Sequence, residues 1–476
     1  MAIELPSAIR RRALLKLGGT AKAASVLPWV TSANAASGAA ITADLRPAPA
    51  KAAMLGVGHP KTDVLAYNGI VSGPVVTMRQ GMPFRSTVTN GLDQGTTVHW
   101  HGIRLSNDMD GVPFLTQPPI RPGMDFHYAF TPPDAGTFWY HPHEHTAHQM
   151  GRGMAGALIV KEPESPPFDR DLLWVLQDWA FDPDDQFVPG FDTPMEAAMS
   201  GRIGNVVTIN GVVPAPIPVR AGECIRLRLA NACLARFMAL RFAGQRVTVI
   251  ALDGQPCRPF TPEAGQVIIA PAQRVDLQLD TIGEPGRAYS VIDDFYGRRS
   301  AYRLVTLAYV KNTHRRRSLP AEPIVLPPNP VPKPDLSNPI RHRLTIIGGM
   351  MGGGGMMGMG MISEGKPASI WGIRDGRRRS DGMAPIFTIP LGRTALLTLE
   401  NRTAFWHPMH LHGYSYTVLS RNGMKEPYPH LRDTVILRPN DTIEIAFAAT
   451  NPGNWMFHCH VIEHQENGLM TVIRVA

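Results

Sequence analysis

Cysteine is scarce in this chain: 476 residues contain only four. That excludes a scaffold built on disulfides. Cys224, Cys233 and Cys257 sit together in the middle third, where one bridge is permitted but the pair is not fixed, and three buried thiols is an equal reading. Cys459 stands apart near the C-terminus, between two histidines. Long apolar runs are missing as well, so no membrane-spanning helix is expected. Charged residues make up only 18% of the chain, and the formal balance is +8.

That balance overstates the mature protein. The N-terminus reads Arg10-Arg11-Arg12-Ala13-Leu14-Leu15-Lys16, continues through a weakly apolar stretch and reaches Ala33-Asn34-Ala35. A basic start, a weak apolar segment and a small-residue cleavage site in that order resemble a twin-arginine export signal over residues 1–35. The expectation is a periplasmic or otherwise exported protein that folds and loads a cofactor before export. Removing those residues takes away five Lys/Arg and one acid and leaves 42 basic against 38 acidic side chains, a net of +4. Such a balance implies no nucleic-acid partner, and Arg315-Arg316-Arg317 and Arg377-Arg378-Arg379 read as solvated loop charges.

What the chain has in quantity is glycine (45) and proline (44), which suit many tight turns and a β-rich fold. The length suggests about three domains. An internal repeat gives the same number. Gly81 precedes Asn90, Gly222 precedes Asn231 and Gly392 precedes Asn401 by nine residues each. Between them run alternating stretches such as Cys224-Ile225-Arg226-Leu227-Arg228-Leu229, the period-two signature of a strand. The expected fold is all-β, with three β-sandwich or Greek-key barrel domains over 36–165, 166–317 and 341–476. A stiff, proline-dense linker is expected over 318–340.

The repeat also locates chemistry. Nine residues after each asparagine stand His99, Leu240 and His410, and two further on stand His101, Phe242 and His412. The outer domains carry paired histidines where the middle one carries apolar residues. A metal site shared between domains one and three follows, with domain two as spacer.

Ten of the 17 histidines fall into four clusters: His99-Trp100-His101-Gly102, His141-Pro142-His143, His407-Pro408-Met409-His410-Leu411-His412-Gly413, and His458-Cys459-His460 followed by His464. Alternation along a strand turns Cys459 to one face and His458 and His460 to the other. Cys459 with His407 and His464 is the ligand set of a blue copper site, where thiolate and imidazole suit a one-electron metal. The flanking histidines would reach a second metal cluster, so one residue of chain would join the two.

These four motifs, in this order, resemble the signature of the multicopper oxidases, and the three-domain repeat extends the likeness over the mature chain. The resemblance implies cupredoxin-like domains and four copper ions. It implies a type 1 copper on His407, Cys459 and His464, and a type 2 copper on His99 and His410. A type 3 pair would sit on His101, His141, His143, His412, His458 and His460. Dioxygen would be the electron acceptor. His145 and His148 match no ligand and read as loop or supporting residues.

The pattern departs from the family in two places, with one matching acid between them. Where bacterial members place an axial methionine ten residues after the cysteine, this chain has Leu469. A three-ligand copper of raised potential is therefore expected. Asp110, in Asp108-Met109-Asp110-Gly111, matches a proton-relaying acid of the family. The acid often found after the last type 1 histidine is Gln465 here, followed by Glu466.

Residues 348–361 are only glycine and methionine, with Met350, Met351, Met356, Met357, Met359 and Met361. No core can be built from them, so they read as an exposed loop, either an oxidant-scavenging linker or a Cu(I)-capturing segment of soft thioethers. Thr403-Ala404-Phe405-Trp406 before His407 instead suits an aromatic reductant. The expected activity is oxidation of a phenol-like donor, as in laccases, or of Cu(I), as in cuprous oxidases. A copper-free cell-envelope scaffold is the alternative, which missing ligands would have marked. A monomer is expected.

Overall fold

The computed structural model describes residues 40–311, 319–350 and 369–476, with the backbone of two short strands, Ile362–Ser363 and Lys366–Pro367. The export segment, Arg315 to Arg317, and Met351, Met356, Met357, Met359 and Met361 lie outside the described residues.

The fold is all-β, and the α-helices among the described residues are single turns: Thr146–Gly151, Pro194–Ala198 and Ile462–Glu466. Three cores carry the mass of buried apolar side chains. The first gathers Tyr67, Phe84, Trp100, Tyr128 and Phe138. The second is aliphatic, built on Leu227, Leu229, Leu240, Leu277 and Leu307. The third packs Trp371, Leu397, Tyr416, Trp455 and Phe457. Each lies between sheets, as cupredoxin-like Greek-key domains require. The second core is enclosed by a six-stranded and a five-stranded sheet, the third by a seven-stranded and a five-stranded one.

The repeated asparagine has the same task three times. Asn90, Asn231 and Asn401 are buried, and each side-chain oxygen accepts the amide two residues on, from Leu92, Cys233 and Thr403 at 2.9–3.0 Å. Each side-chain NH₂ donates to a carbonyl four or five residues on and to one across the domain, such as Ile120, Ile269 and Arg438. The asparagine thus closes a turn and ties it to the facing strand. The chain then enters the strand that carries His99, Leu240 or His410.

The polar side of the middle domain's sheet is not solvated. In the strands Cys224–Asn231 and Arg274–Asp280, Arg226, Arg228, Arg274 and Asp276 are all buried. Arg226 donates to Asp276 Oδ2 (2.7 and 2.9 Å) and to Glu162 Oε1 (2.6 Å), and Arg228 to Thr137 Oγ1 (2.9 Å). Alternation, which predicts one core face and one polar face, is correct; the polar face is a contact with the first domain.

The proline-dense connection is extended but docked. Asn329 donates to the carbonyl of Ala135 (2.8 Å) and to Gln255 Oε1 (2.9 Å), and Leu326 is buried against Ile250 and Ala251. The arginines 377–379 occupy an exposed edge hairpin and not a loop, with Arg378–Arg379 paired to Arg374 and Asp375. Cys224, Cys233 and Cys257 are free thiols, which resolves the two readings against a bridge.

Candidate metal centre

Four histidine pairs converge where the first and third domains meet. The strand His99–His101 lies antiparallel to Gly136–His141 with His99 opposite His141, and His407–Leu411 lies antiparallel to Gly453–Cys459 with His410 opposite His458. The two hairpins interleave: His99 stacks on His412 at 4.0 Å between ring centroids, and His101 on His410 at 3.7 Å. The first and third domains thus share one site, where the repeat places it. His99, His101, His141, His143, His410, His412, His458 and His460 are all buried.

The hydrogen bonds decide which nitrogens face inward. Nδ1 of His99 donates to the Asp110 carbonyl (2.7 Å), of His141 to Pro142 (2.9 Å), of His410 to Asp433 (3.0 Å) and of His458 to Cys459 (2.9 Å). Nδ1 of His412 donates to Asp110 Oδ2 at 2.9 Å. Those bonds place the proton on Nδ1 and leave Nε2 as a bare lone pair. Among the described residues, Nε2 of His99, His141, His143, His410 and His460 has no hydrogen-bond partner, and neither has either ring nitrogen of His101, whose Nε2 lies 3.5 Å from Asp433 Oδ1. Nε2 of His412 faces Nε2 of His458 at 2.9 Å, lone pair against lone pair. Burial, reinforced by neighbouring histidines, pushes His101, His141, His143, His412, His458 and His460 well below the usual imidazole range, so protons do not fill the gap. Converging, uncharged, unpartnered imidazole lone pairs fit metal cations. Triads within ligand distance include His99, His410 and His412, and His143, His412 and His458.

A second centre lies on the other face of the same strand. Cys459 Sγ is 3.4 Å from His407 Nδ1 and 3.7 Å from His464 Nδ1, and the two nitrogens are 3.3 Å apart. Here the outer nitrogens are fixed. Nε2 of His407 meets Thr403 Oγ1 at 2.7 Å, and Nε2 of His464 donates to the Met199 carbonyl at 2.7 Å. Thr403 Oγ1 gives its own proton to Asn401, so it accepts from His407. Both Nδ1 lone pairs therefore point at the thiol. Burial pushes the Cys459 thiol up, so a cation is needed to hold it as thiolate. Leu469 is fully buried in the same core, its carbonyl accepting the Cys459 amide at 3.0 Å; its side chain offers no donor atom.

Several contributors were silent in the sequence. Asp433 and Arg274 lie against the eight-histidine cluster, and the Trp371 ring lies 4.2 Å from that of His464, tilted by 36°. Glu463, one residue before His464, is buried with both carboxylate oxygens unpartnered among the described residues, and burial pushes it up to about 8. Gln465 is buried, and Glu466 Oε1 accepts the Ala147 amide at 3.0 Å while burial raises it to about 7. His145 is an exposed residue at a helix start, and His148 Nδ1 contacts Gln94 (3.0 Å); neither joins a cluster. Trp406 is half-buried over Phe237 and Phe295 with Arg438 above it, an aromatic patch beside His407.

The middle domain covers the Cys459 centre. Three successive carbonyls at the end of the turn Pro194–Ala198 are used: Ala197 accepts Trp371 Nε1 (2.6 Å), Ala198 accepts the Met350 amide (3.0 Å), and Met199 accepts His464. Gly348 pairs with Trp371 at the base of the glycine-methionine segment, and the Trp371 amide donates to the Asn467 carbonyl (3.1 Å). Gly348 to Met350, where that segment begins, and Trp371, just after the described chain resumes, therefore rest on the cover of His464.

Family models described as multicopper oxidase match residues 50–165, 170–313 and 359–476. The multicopper oxidase MmcO of Mycobacterium tuberculosis is 28% identical over 95% of this chain and 90% of its own length. Laccase-1 of Fomitopsis schrenkii is 30% identical over 87% of this chain and 83% of its own. Among solved structures, the multicopper oxidase of Pseudomonas thermotolerans superposes with a TM-score of 0.77 at 37% identity, covering 92% of this chain and all of that one. A multicopper oxidase of Campylobacter jejuni described as a metallo-oxidase gives 0.75 at 27%, covering 91% of each. The chain belongs to the multicopper oxidase family, oxidoreductases whose cofactor is copper.

Proposed function

We propose that the protein takes one-electron equivalents at the Cys459 centre and uses four of them to reduce dioxygen to water at the eight-histidine cluster. One observation carries this reading. Cys459 faces one centre while His458 and His460, its chain neighbours, face the other, so a single residue of backbone joins them. His407, Cys459 and His464 would hold a type 1 copper. His99 and His410 would hold a type 2 copper, and His101, His141, His143, His412, His458 and His460 a type 3 pair. Bound there, copper supplies one-electron redox chemistry and dioxygen reduction. The chain's own part is to keep ten ring nitrogens and one thiol bare and aimed, to exclude water around Cys459, and to hold Asp110 at His412 and His99. Every ligand residue is present, which argues against the copper-free scaffold.

For the donor we favour Cu(I). The imidazole of His464 is buried under Met199 and Trp371, which leaves no ring edge for a phenol to stack on. Entry is through the Met199 carbonyl, beside Met350 and the base of the methionine segment. Thioethers select Cu(I). The second reading, an aromatic donor, rests on the half-buried Trp406 patch. Oxygen uptake by the copper-loaded protein separates them, with anaerobically prepared Cu(I) or a simple phenol as donor and a variant lacking residues 351–361 alongside. Cu(I) is expected to be the faster donor, with the deletion removing that advantage; faster phenol oxidation, unchanged by the deletion, would favour the laccase-like reading. Export, expected from residues 1–35, is tested by locating the protein in fractionated cells with Arg11→Lys and Arg12→Lys.

A further inference from the structure

We infer that Arg274, contributed by the middle domain, is a positioning residue of the histidine cluster: it fixes Asp433, and through Asp433 the imidazoles of His410 and His101. The inference rests on the copper reading of that cluster. Arg274 is fully buried and its guanidinium touches all three domains. Nε donates to the Thr137 carbonyl (3.2 Å) in the first and Nη1 to the Ala272 carbonyl (3.0 Å) in its own. Nη1 also donates to Asp433 Oδ1 (2.9 Å) and Nη2 to Asp433 Oδ2, both in the third. The planar fork meets the carboxylate with both arms, a geometry lysine cannot reproduce.

Asp433 passes that constraint to the cluster. Its carbonyl accepts His410 Nδ1 at 3.0 Å, and its Oδ1 lies 3.5 Å from both His410 Nδ1 and His101 Nε2. Neither ring nitrogen of His101 makes a hydrogen bond among the described residues, so the Asp433 carboxylate is the group that distinguishes them. Thr434 Oγ1 donates to Asp433 Oδ1 (2.8 Å). Asp253 holds the assembly from behind, accepting the backbone amides of Arg274 (3.0 Å) and Thr434 (3.3 Å).

The glycine of the His-Trp-His-Gly motif has its explanation here. Gly102 has φ +85°, and a Cβ on it would lie 2.6 Å from Asp433 Oδ2 and overlap Arg274 Nη2 as well. The backbone after His101 is thus pressed against the clamp. Fold stability alone is a weak reason for such a pair, because a buried ion pair is commonly replaceable by apolar residues at little cost. Orientation of ligands is the better reason, and it is supplied by the domain that carries Leu240 and Phe242 in place of paired histidines.

The test uses full-length protein: wild type, Arg274→Lys, Arg274→Met, and the double variant Arg274→Met with Asp433→Leu, which leaves no unpaired buried charge. Copper per chain is measured through a chelator series. The type 2 EPR signal, the visible absorption of the Cys459 centre and the thermal unfolding of the metal-free protein are followed together. We expect wild-type visible absorption in all variants and an altered type 2 signal. Cluster copper should be retained about ten- to hundredfold more weakly in the Met and double variants, with Lys between. Unchanged copper retention and type 2 signal in Arg274→Lys and the double variant would overturn the inference, even if thermal stability falls. Should Arg274→Met alone not fold, the other two variants decide by the same readouts. A wild-type chain without cluster copper would overturn the copper reading itself, which separates the two failures.

Discussion

Asp110 is where the family resemblance and the geometry suggest different roles. The resemblance makes it a proton relay, whereas the structure places its carboxylate against two ligand imidazoles, 2.9 Å from His412 Nδ1 and 3.3 Å from His99 Nδ1, at 1% exposure. Asp110→Asn keeps the shape but removes the charge, and it can turn an NH₂ toward an imidazole N–H. A charge-assisted bond contributes about 1.5–3 kcal/mol and a buried unpaired donor costs a comparable amount. At about 1.4 kcal/mol per decade, the loss of one such bond is about ten- to hundredfold in affinity for the cluster metals, the size usual for a group supporting a ligand histidine. Titration of the copper-loaded variant with a chelator, read by type 2 EPR, measures that loss. The visible absorption of the Cys459 centre, on the far face of the strand, should not change. Full copper retention with turnover lost would refute the positioning argument and return Asp110 to the relay role alone.

Other consequences follow from single contacts. Leu469→Met should lower the potential of the Cys459 copper in a spectroelectrochemical titration, since a thioether would then face the metal; an unchanged potential would mean residue 469 is not axial. Asn231→Ala strands two carbonyls and one amide in the metal-free domain and should cost about 2–4 kcal/mol in chemical unfolding, with copper content unchanged. Burial raises the thiol of Cys233, and burial first, then Asp276, raises that of Cys257 to about 12. Both should resist alkylation of the native protein at neutral pH and react after unfolding. The folded value lies above the unfolded one of about 8.5. Their contribution to stability is therefore full below that pH and lost as pH climbs toward the folded value. Equal labelling of native and unfolded protein would contradict it.

How much of this was legible beforehand depended on periodicity. The Gly–Asn spacing and the paired histidines gave three β domains and an inter-domain site, because Asn90, Asn231 and Asn401 each close the same turn a fixed distance before the same strand. Cys459 and its flanking histidines separated correctly because side chains on a strand alternate. Arg274 was not legible: a strand reading Arg-Val-Asp-Leu-Gln-Leu-Asp looks solvated on its polar side, and only the packing of the other domains onto that side, Asp433 of the third among them, shows otherwise. The cover over His464 was hidden for a similar reason. It uses backbone carbonyls of Ala197, Ala198 and Met199, and a carbonyl has no sequence signature. The middle domain, read as a spacer, supplies both features.

The measurement closest to the central claim is the stoichiometry of oxygen use. Cu(I) is added in limiting amounts to the copper-loaded protein, and dioxygen consumed and peroxide formed are recorded together, beside Cys459→Ser. Consumption of one dioxygen per four Cu(I), without peroxide, and its loss in Cys459→Ser with the cluster copper still bound, is the predicted result. One dioxygen per two Cu(I) with peroxide accumulating, or undiminished turnover in Cys459→Ser, would contradict the joining of the two centres through Cys459.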